Sequence, residues 1–419
     1  MRRMIMGLVA GMAFLAGPAI AETTEIVVHY PMPGFFKDVM AKIADEYVKS
    51  HPDVKITFTS PSASYDEGLQ LLLRQADTPD MPDVSFVGLN RLRVLAEKNI
   101  GVDPKPILAE DKNLAAEGFT DQILGLGRFK DRQVGLAFAA SSPIFYYNAD
   151  LVKKAGGDPD NMPKDWDGVI KLAAKINDLG DGVNGMSYFW ALDDWMFSAL
   201  VFSNGGTMMA PEEKSVAFDG EAGHKAVNLL ARFVKDGKMP VMSPDAMKQA
   251  FTAGKTGLFF WTTGALRSMI NGVGGKFELR TTTYPGLEAT NGRLPTGGNA
   301  IVMFTKDPAK QKAVVEFMKF VTGPFGESIV VPGTGYVPTN ALAAQDDKYL
   351  KTFYEKNPLF LAGLKQLPVM VPWYAFPGNN GVKITQVIVD NLGGLVEQKS
   401  TPEETLATMA AETKKLLPR

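Results

Sequence analysis

The 419-residue chain contains no cysteine and only three histidines. Without cysteine the protein folds without disulfides, and no thiol is available for a lipid anchor. The histidines His29, His51 and His224 lie far apart, and none has a second histidine or a carboxylate at the spacing of a zinc motif. We therefore predict neither a metal site nor a cofactor.

An excess of charge of one sign is also missing. The formal net charge is −2 and no basic tail occurs, so nothing indicates a nucleic-acid partner. The G-x-S-x-G elbow of serine hydrolases is absent. The run Ala253–Thr256 ends like a phosphate-binding loop, but Gln249 stands where that loop requires its first glycine. These absences exclude the common sequence signatures of hydrolases and nucleotide-binding enzymes.

Long apolar runs are confined to the first residues of the chain. Arg2 and Arg3 precede the apolar stretch Met6–Leu15, and the small residues of Ala19–Ala21 follow. This order is typical of a secretory signal peptide, here with cleavage after Ala21. No other stretch approaches the roughly 20 apolar residues that a membrane-spanning helix needs. We expect an exported protein of a bacterial periplasm.

Strand and helix patterns alternate through the first hundred residues. Short β-branched runs at Glu25–His29, Val54–Thr59 and Asp83–Val87 are separated by helical periodicity at Phe35–Ser50 and Tyr65–Ala76. This alternation predicts an α/β fold with a largely parallel sheet. The length predicts two domains, and the lack of a long linker predicts that the chain passes between them more than once. A cleft between such lobes is a preferred ligand site.

The stretch Phe138–Asn148 has the features of a crossing between lobes. A predicted strand, Gln133–Phe138, leads into it, and a second, Ile144–Tyr147, leaves it. Between them, Ser141 and Ser142 can both donate and accept hydrogen bonds. An ordinary connection between two strands would have the same sequence, so the residues alone leave both interpretations open.

Four of the five tryptophans stand at predicted element ends beside glycine and small polar residues. Trp190 and Trp195 bracket a Leu-Asp-Asp turn, Trp261 precedes Thr-Thr-Gly, and Trp373 precedes a loop rich in glycine and asparagine. Flat aromatic faces suit the C–H faces of a sugar or polyol, while nearby polar groups bind its hydroxyls. Packing of each tryptophan in a core is the alternative.

Several segments, taken in order, resemble the bacterial ABC-transporter solute-binding proteins of the family that includes the maltose-binding and glycerol-3-phosphate-binding proteins. The segments that carry the likeness are Ser142–Asn148, Phe251 with Gly254–Leu258, Gly297–Gly298, Thr334–Pro338 and Thr401–Leu406. Each motif alone is loose, whereas their order over nearly the whole mature chain is specific.

The resemblance implies a fold like that of type II periplasmic binding proteins, with two α/β lobes joined by multiple crossings and a ligand cleft between them. Residues 22–138 and 299–338 would form lobe I, and residues 139–298 and 339–419 lobe II. The implied function is capture of a small carbohydrate or polyol by hinge closure and its delivery to an ABC permease in the inner membrane. A monomer that performs no chemistry on its ligand is implied.

The resemblance also places a ligand site residue by residue. The implied ligand-binding residues are His29, Tyr30, Tyr65, Gly88, Asn90, Ser141, Ser142, Trp190, Asp194, Trp195, Trp261, Gly298, Asn299, Tyr336, Gly378 and Asn379.

Two departures from the glycerol-3-phosphate subgroup bear on the ligand. The position after the third strand where a carboxylate is expected lies near Gly88, and the sequence has no carboxylate there. The arginine expected late in the chain is missing from Phe376–Gly381. Because phosphate is best bound by a bidentate cation, these departures favour a neutral sugar, polyol or glycoside.

Two alternatives remain open at this point. The first is a glycerol-3-phosphate or another anionic glycerol or sugar derivative, which Arg91, Arg267 or Lys383 could reach. The second is an exported glycoside hydrolase, which needs two carboxylates in the cleft. Asp194 is the only such carboxylate that the sequence places.

Overall fold

A computed structural model describes residues 23–287 and 291–418 of the chain. The predicted signal peptide, residues 1–21, lies outside this part. Among the described helices, none combines the length and the apolar character needed to cross a membrane.

The strands are β1 Thr24–His29, β2 Val54–Phe58, β3 Val84–Gly88, β4 Arg128–Phe129, β5 Arg132–Gln133, β6 Leu136–Ser141, β7 Pro143–Asn148, β8 Asn184–Tyr188, β9 Thr256–Thr262, β10 Leu279–Thr282, β11 Leu294–Met303 and β12 Met370–Pro372.

The α-helices are α1 Pro33–Ser50, α2 Tyr65–Gln75, α3 Leu92–Glu97, α4 Lys105–Leu108, α5 Asp121–Leu126, α6 Ala149–Lys154, α7 Trp166–Asn177, α8 Trp195–Ser203, α9 Glu221–Lys235, α10 Pro244–Thr252, α11 Leu266–Val273, α12 Pro308–Thr322, α13 Pro324–Thr334, α14 Lys351–Lys356, α15 Leu361–Gln366, α16 Gly381–Val396 and α17 Pro402–Leu416. Short 3₁₀ turns occupy Leu89–Arg91, Thr263–Ala265, Pro358–Phe360 and Leu367–Val369.

A six-stranded sheet has the order β12-β11-β3-β1-β2, in which β6 also pairs with β11. Its strands other than β12 form lobe I, whereas β12 pairs with the part of β11 that precedes the crossing at Gly297–Gly298. Strand β1 is parallel to β2 and β3, as the βαβ pattern predicts, because a helix carries the chain back between them. Strand β11 runs antiparallel to β3 and β6. Its register places Asn299 opposite Gly88 on one side and opposite Ala139 on the other.

Lobe II is built on a four-stranded sheet with the order β10-β7-β9-β8. Here β7 is antiparallel to both β9 and β10, and only β8 and β9 are parallel. The prediction of a largely parallel sheet is therefore wrong in detail: both sheets are mixed. The antiparallel partners β7 and β11 enter their sheets directly from the other lobe, so no crossover helix sets their direction.

Each sheet has its own hydrophobic core. The core of lobe I joins side chains of β1, α1 and α12, including Ile26, Phe36 and Phe317. The core of lobe II joins β7, β9 and α8, with Phe145 and Phe260 stacked at 4.4 Å between ring centroids. Helix α8 is buried along its entire length, as its apolar sequence predicts.

Helix ends follow the chemistry of the sequence. Asp165 caps α7, with its side chain accepting a hydrogen bond from the backbone N–H of Gly168. A capping box begins α17, because Thr401 and Glu404 each bind the other's backbone N–H.

The lobes are joined where strands pass from one sheet to the other. The first crossing lies at Ser142, between the end of β6 and the start of β7. The second lies inside β11 at Gly297–Gly298. Gly298 has a φ of 112°, and a Cβ there would lie 1.8 Å from the carbonyl oxygen of Ala139. Only glycine fits this position.

We expect Gly298→Ala to lower the free energy of unfolding by more than about 2 kcal/mol, since the new methyl group must displace backbone and φ is unfavourable. Gly125→Ala is the control, because a Cβ there meets nothing within 4 Å. Chemical denaturation followed by circular dichroism measures both. Equal stability of the two variants would contradict the role assigned to Gly298.

Candidate functional site

The candidate site on lobe I gathers residues from β11, the start of α2, the end of β3 and the segment after α13. The side-chain N–H of Asn299 donates to the Tyr65 hydroxyl at 3.0 Å, and that hydroxyl lies 3.5 Å from the hydroxyl of Tyr336. A Cβ at Gly88 would lie 3.1 Å from both Tyr65 and the Asn90 side-chain oxygen. The structure thus brings together five of the predicted residues: Tyr65, Gly88, Asn90, Asn299 and Tyr336.

A buried polar atom in this wall has no partner in the protein. Asn299 is fully buried, and no donor among the described residues reaches its Oδ1. Leaving a buried carbonyl oxygen without a hydrogen bond costs about 1–3 kcal/mol. Asn299 immediately follows Gly298 at the crossing, so the atom lies where the two lobes meet.

The wall on lobe II is formed by the start of α8. The backbone N–H of Trp195 donates to Asp193 at 2.9 Å, and its indole N–H donates to the carbonyl of Pro295 at 3.1 Å. A Cβ at Gly297 would lie 3.2 Å from the Trp195 ring and 2.7 Å from the Ser141 hydroxyl. The predicted residues Ser141 and Trp195 therefore meet at Gly297, which directly precedes the predicted Gly298.

Asp194 provides a second unpartnered acceptor. Its Oδ1 accepts a hydrogen bond from the Thr385 hydroxyl at 3.3 Å, whereas no group in the described part of the chain donates to its Oδ2. The residue is 1% exposed. Burial raises the pKa of Asp193 to about 6 and that of Asp194 to about 7, while nearby Arg91 opposes the rise.

Arg91 extends from lobe I toward these aspartates. Its guanidinium binds Asp66 through both carboxylate oxygens, at 2.6 and 3.2 Å, and the residue is buried. A Cβ at Gly381, on lobe II, would lie 3.9 Å from Arg91 Nη1. The guanidinium therefore stands beside the segment in which the sequence lacks an arginine.

Asp66 and Asp193 are absent from the predicted site set. Asp66 directly follows Tyr65 at the first turn of α2, and Asp193 directly precedes Asp194. The signal for both was their place beside predicted site residues at element ends, where ligands of α/β sheets bind.

Ser142 performs a structural task at the crossing. Its hydroxyl accepts a hydrogen bond from the Gln366 side chain at 2.7 Å, and its backbone N–H donates to Thr263 at 3.2 Å. The same Gln366 amide donates to the carbonyl of Pro143 at 2.9 Å. Ser142 thus fixes the first crossing to lobe II.

Two predicted residues at the end of β1 lie away from this cluster. His29 is fully buried and its ring nitrogens lie 2.7 Å from the Ser85 hydroxyl and 2.9 Å from the Ser62 hydroxyl. Burial lowers its pKa. Tyr30 packs edge-on against Phe58 at 5.6 Å between ring centroids. Both contribute to the packing of lobe I.

The remaining predicted residues lie within or behind lobe II. Trp261 stacks on Phe189 with 4.3 Å between ring centroids, and the Lys248 ammonium lies over the Trp261 ring at 5.7 Å from its centre. The Trp190 ring lies beside Gly393 of α16. Gly378 packs near Pro418, and the neighbouring Asn379 is exposed.

Comparison with known proteins identifies the family. A family model described as bacterial extracellular solute-binding protein matches residues 42–362. The chain belongs to this family. The family consists of proteins that bind solutes, so the resemblance inferred from the ordered motifs is confirmed.

Curated relatives match this solute-binding protein along most of its length. The sn-glycerol-3-phosphate-binding periplasmic protein UgpB of Escherichia coli (strain K12) is 26% identical, over 97% of this chain and 95% of its own. UgpB of Pectobacterium atrosepticum is 25% identical, over 94% and 92%.

Solved structures share the fold. UgpB from Mycobacterium tuberculosis in complex with glycerophosphocholine has a TM-score of 0.82 and 20% identity, covering 93% of this chain and 98% of its own. The GacH receptor of Streptomyces glaucescens, solved unliganded and with acarbose, has a TM-score of 0.79 and 18% identity, covering 94% and 98%. The predicted two-lobed α/β fold is confirmed.

The aspartate pair generates a pH prediction. Because the pKa of Asp194 is raised to about 7, folded protein holds a proton that unfolded protein releases from about pH 4 upward. The free energy of unfolding therefore falls as the pH rises from about 4 to 7. Asp194→Asn removes this contribution, which is at most about 1.4 kcal/mol per pH unit.

Urea denaturation at several pH values in this window measures the slope. Glu327, whose pKa burial raises to about 8, is present in both proteins, so the difference between them isolates Asp194. Identical slopes would show that Asp194 is ionised in the folded protein.

Proposed function

We propose that this protein captures a small neutral sugar, polyol or glycoside between its lobes by hinge closure and delivers it to an ABC importer. The observation that carries the proposal is the pair of buried, unpartnered acceptors, Asn299 Oδ1 on lobe I and Asp194 Oδ2 on lobe II. A ligand rich in hydroxyl groups satisfies both atoms only when the lobes are closed, because a hydroxyl donates to Asn299 Oδ1 and either donates to or accepts from Asp194 according to its protonation. Trp195 supplies an aromatic surface between them.

The charges of the cleft favour a neutral ligand. Asp66, Asp193 and Asp194 face a single guanidinium, that of Arg91, which is already bound to Asp66 through two hydrogen bonds. A phosphate would add negative charge to a site with excess carboxylate, at a cost that burial increases.

A glycerol phosphate or glycerophosphodiester is the second candidate. It is supported by the two curated relatives, whose names specify sn-glycerol-3-phosphate. Arg91 lies beside the first turn of α16, where backbone N–H groups also favour an anion. For this ligand Arg91 would exchange its bonds to Asp66 for bonds to phosphate.

We further propose that the protein is not an enzyme. Glycoside hydrolysis needs an acid and a base on opposite sides of the scissile bond. Asp193 and Asp194 are adjacent at one helix start, and the nearest further carboxylate, Asp66, is bound to Arg91.

The cellular setting is proposed from the sequence and the relatives. Cleavage after Ala21 would release a periplasmic monomer, consistent with the periplasmic relatives. We propose the lobe boundaries 22–138 with 299–338 and 139–298 with 339–419. The separate hydrophobic cores and the crossing at Gly297–Gly298 support them, whereas β6 continues in the sheet of lobe I to Ser141, three residues beyond the proposed boundary at 138.

A thermal-shift screen of residues 22–419 tests the ligand class. Its arms are neutral sugars and polyols, glycerol phosphates, and glycerophosphocholine. A ligand at 100 times its dissociation constant stabilises the protein by about 2.7 kcal/mol. A raised midpoint with neutral compounds supports the first candidate, one with phosphates alone supports the second, and turnover of a glycoside would overturn both.

We expect Trp195→Ala to weaken binding of the best compound from that screen by about 2 kcal/mol, roughly 30-fold, because a buried aromatic anchor is lost. Calorimetric titration measures the change. Trp261→Phe is the control, since Trp261 packs on Phe189 within lobe II. Unchanged affinity in Trp195→Ala would remove this ring from the ligand contacts.

A further inference from the structure

An ion pair joins the two lobes away from the candidate ligand residues Tyr65, Asn299, Tyr336, Asp194 and Trp195, which are called the ligand cluster below. Arg93, on α3 of lobe I, binds both carboxylate oxygens of Glu213 on lobe II, at 2.6 and 2.8 Å. The Arg93 side chain is 8% exposed and that of Glu213 is 36% exposed. The ion pair therefore lies at the rim of the interface between the lobes, partly shielded from solvent.

Further groups from both lobes hold the pair in place. On lobe II, the Tyr374 hydroxyl donates to Glu213 at 2.8 Å, and the carbonyl of Ala375 accepts from Arg93 at 3.2 Å. On lobe I, Arg93 also donates to Glu97 at 2.7 Å, and its guanidinium lies 5.2 Å from the ring centre of Phe129. Bidentate arginine pairs supported in this way are geometrically specific.

The backbone of Glu213 is unusual for a glutamate. Its φ is 59°, in the left-handed region that favours glycine. The turn is closed by backbone hydrogen bonds between Ala210 and both Glu213 and Ser215. Within the turn, the neighbouring Glu212 binds the Ser215 hydroxyl, whereas the Glu213 carboxylate reaches the other lobe. A costly backbone conformation whose side chain acts elsewhere points to a function of that side chain.

We propose that Arg93 and Glu213 form an interlobe latch that sets the population of the closed state, both before and after ligand binds. The hydrogen bonds and ring contacts of Arg93 and Glu213 are with Glu97, Phe129, Tyr374, Ala375 and each other, and none is with the ligand cluster. The latch therefore acts through closure alone. In the structure the pair joins the two lobes, and the proposal is that it separates when they open, so that its free energy adds to the closed state selectively. The proposal rests on the hinge closure proposed above.

The consequence is a ligand affinity that depends on two separable factors. The cleft determines contacts with the ligand, and the latch determines how much of the protein is competent to hold it. Weakening the latch lowers the fraction of closed protein and speeds ligand release, while the chemical selectivity of the cleft is unchanged.

Double electron–electron resonance, which measures the distance between two spin labels, tests the latch in ligand-free protein. The chain has no native cysteine, so Lys112→Cys on lobe I and Lys171→Cys on lobe II, both exposed, accept spin labels specifically. The test variants are Glu213→Gln and Glu213→Gly. Asp219→Asn is the matched control, because Asp219 is 34% exposed and pairs with Lys414 within lobe II.

We expect the ratio of closed to open protein to fall at least tenfold in both Glu213 variants and to remain unchanged in Asp219→Asn. Glu213→Gly relieves the unfavourable φ, so its melting temperature should equal or exceed that of the wild type, which excludes misfolding as the cause. The double charge exchange Arg93→Glu with Glu213→Arg should restore part of the closed population.

Unchanged distance distributions in both Glu213 variants would overturn the latch. Since this experiment contains no ligand, its outcome is independent of the thermal-shift screen. A failed screen with an effect of Glu213 on closure would leave the latch standing and the ligand class wrong.

Discussion

A single strand, Leu294–Met303, belongs to both lobes, and the cleft depends on its register. Its first residues pair with Met370–Pro372, and its last residues pair with Val84–Gly88 of lobe I. The glycines Gly297–Gly298 at the change between lobes allow the backbone to pass close to β6. In the same strand, Pro295 accepts the indole N–H of Trp195 and Asn299 presents its unpartnered oxygen. A shift of one residue in this register would move these side chains to the other face of the sheet. The crossing at Gly297–Gly298 and the candidate ligand residue Asn299 are therefore parts of the same strand.

Two guanidinium groups of lobe I face carboxylates of lobe II, and each also pairs with a carboxylate of its own lobe, Arg91 with Asp66 and Arg93 with Glu97. Lobe I contributes the guanidinium groups of Arg91 and Arg93, and lobe II contributes the carboxylates of Asp193, Asp194 and Glu213. Attraction between these groups favours closure, and desolvation of the unmatched aspartates opposes it. A ligand that donates hydrogen bonds to the aspartates removes this opposition. Under the proposed function, a bound ligand therefore stabilises the closed state by supplying the hydrogen-bond partners that the two lobes leave missing.

Local sequence chemistry predicted most elements of the fold and the parallel pairing of β1, β2 and β3, but not the antiparallel pairing of β7 and β11. Apolar periodicity and caps located helices such as α8 and α17, because these depend on residues within a few positions. The antiparallel direction of β11 depends on where the chain re-enters lobe I, which no local pattern records. Tyr65 and Asn299 form one hydrogen bond across 234 positions of sequence, and only the resemblance to a known family placed both in one site.

The prediction of individual site residues was limited by side-chain direction. Trp261 stands two residues after Phe259 in β9, so both side chains lie on the same face of the sheet, where Trp261 stacks on Phe189. His29 ends a strand at the expected edge, but two serine hydroxyls engage its ring. Position at a strand end identifies candidates, whereas the neighbours of each side chain decide whether it faces the ligand. Asp66 was not predicted, because its place beside the candidate site depends on its ion pair with Arg91, 25 positions away in the sequence.

Arg91 and Arg93 are two residues apart, yet the structure gives them separate environments. Arg91 ends a 3₁₀ turn and lies in the cleft against Asp66, whereas Arg93 lies in α3 and reaches the rim. Residues at this spacing on a helical turn do not face each other, so one short turn can direct one cation to the ligand cluster and the other to the opposite lobe. Under the two proposals, recognition and closure are positioned by the same short element and use different side chains. Substitution at the rim is then expected to change how long a ligand is held and not which ligand is held.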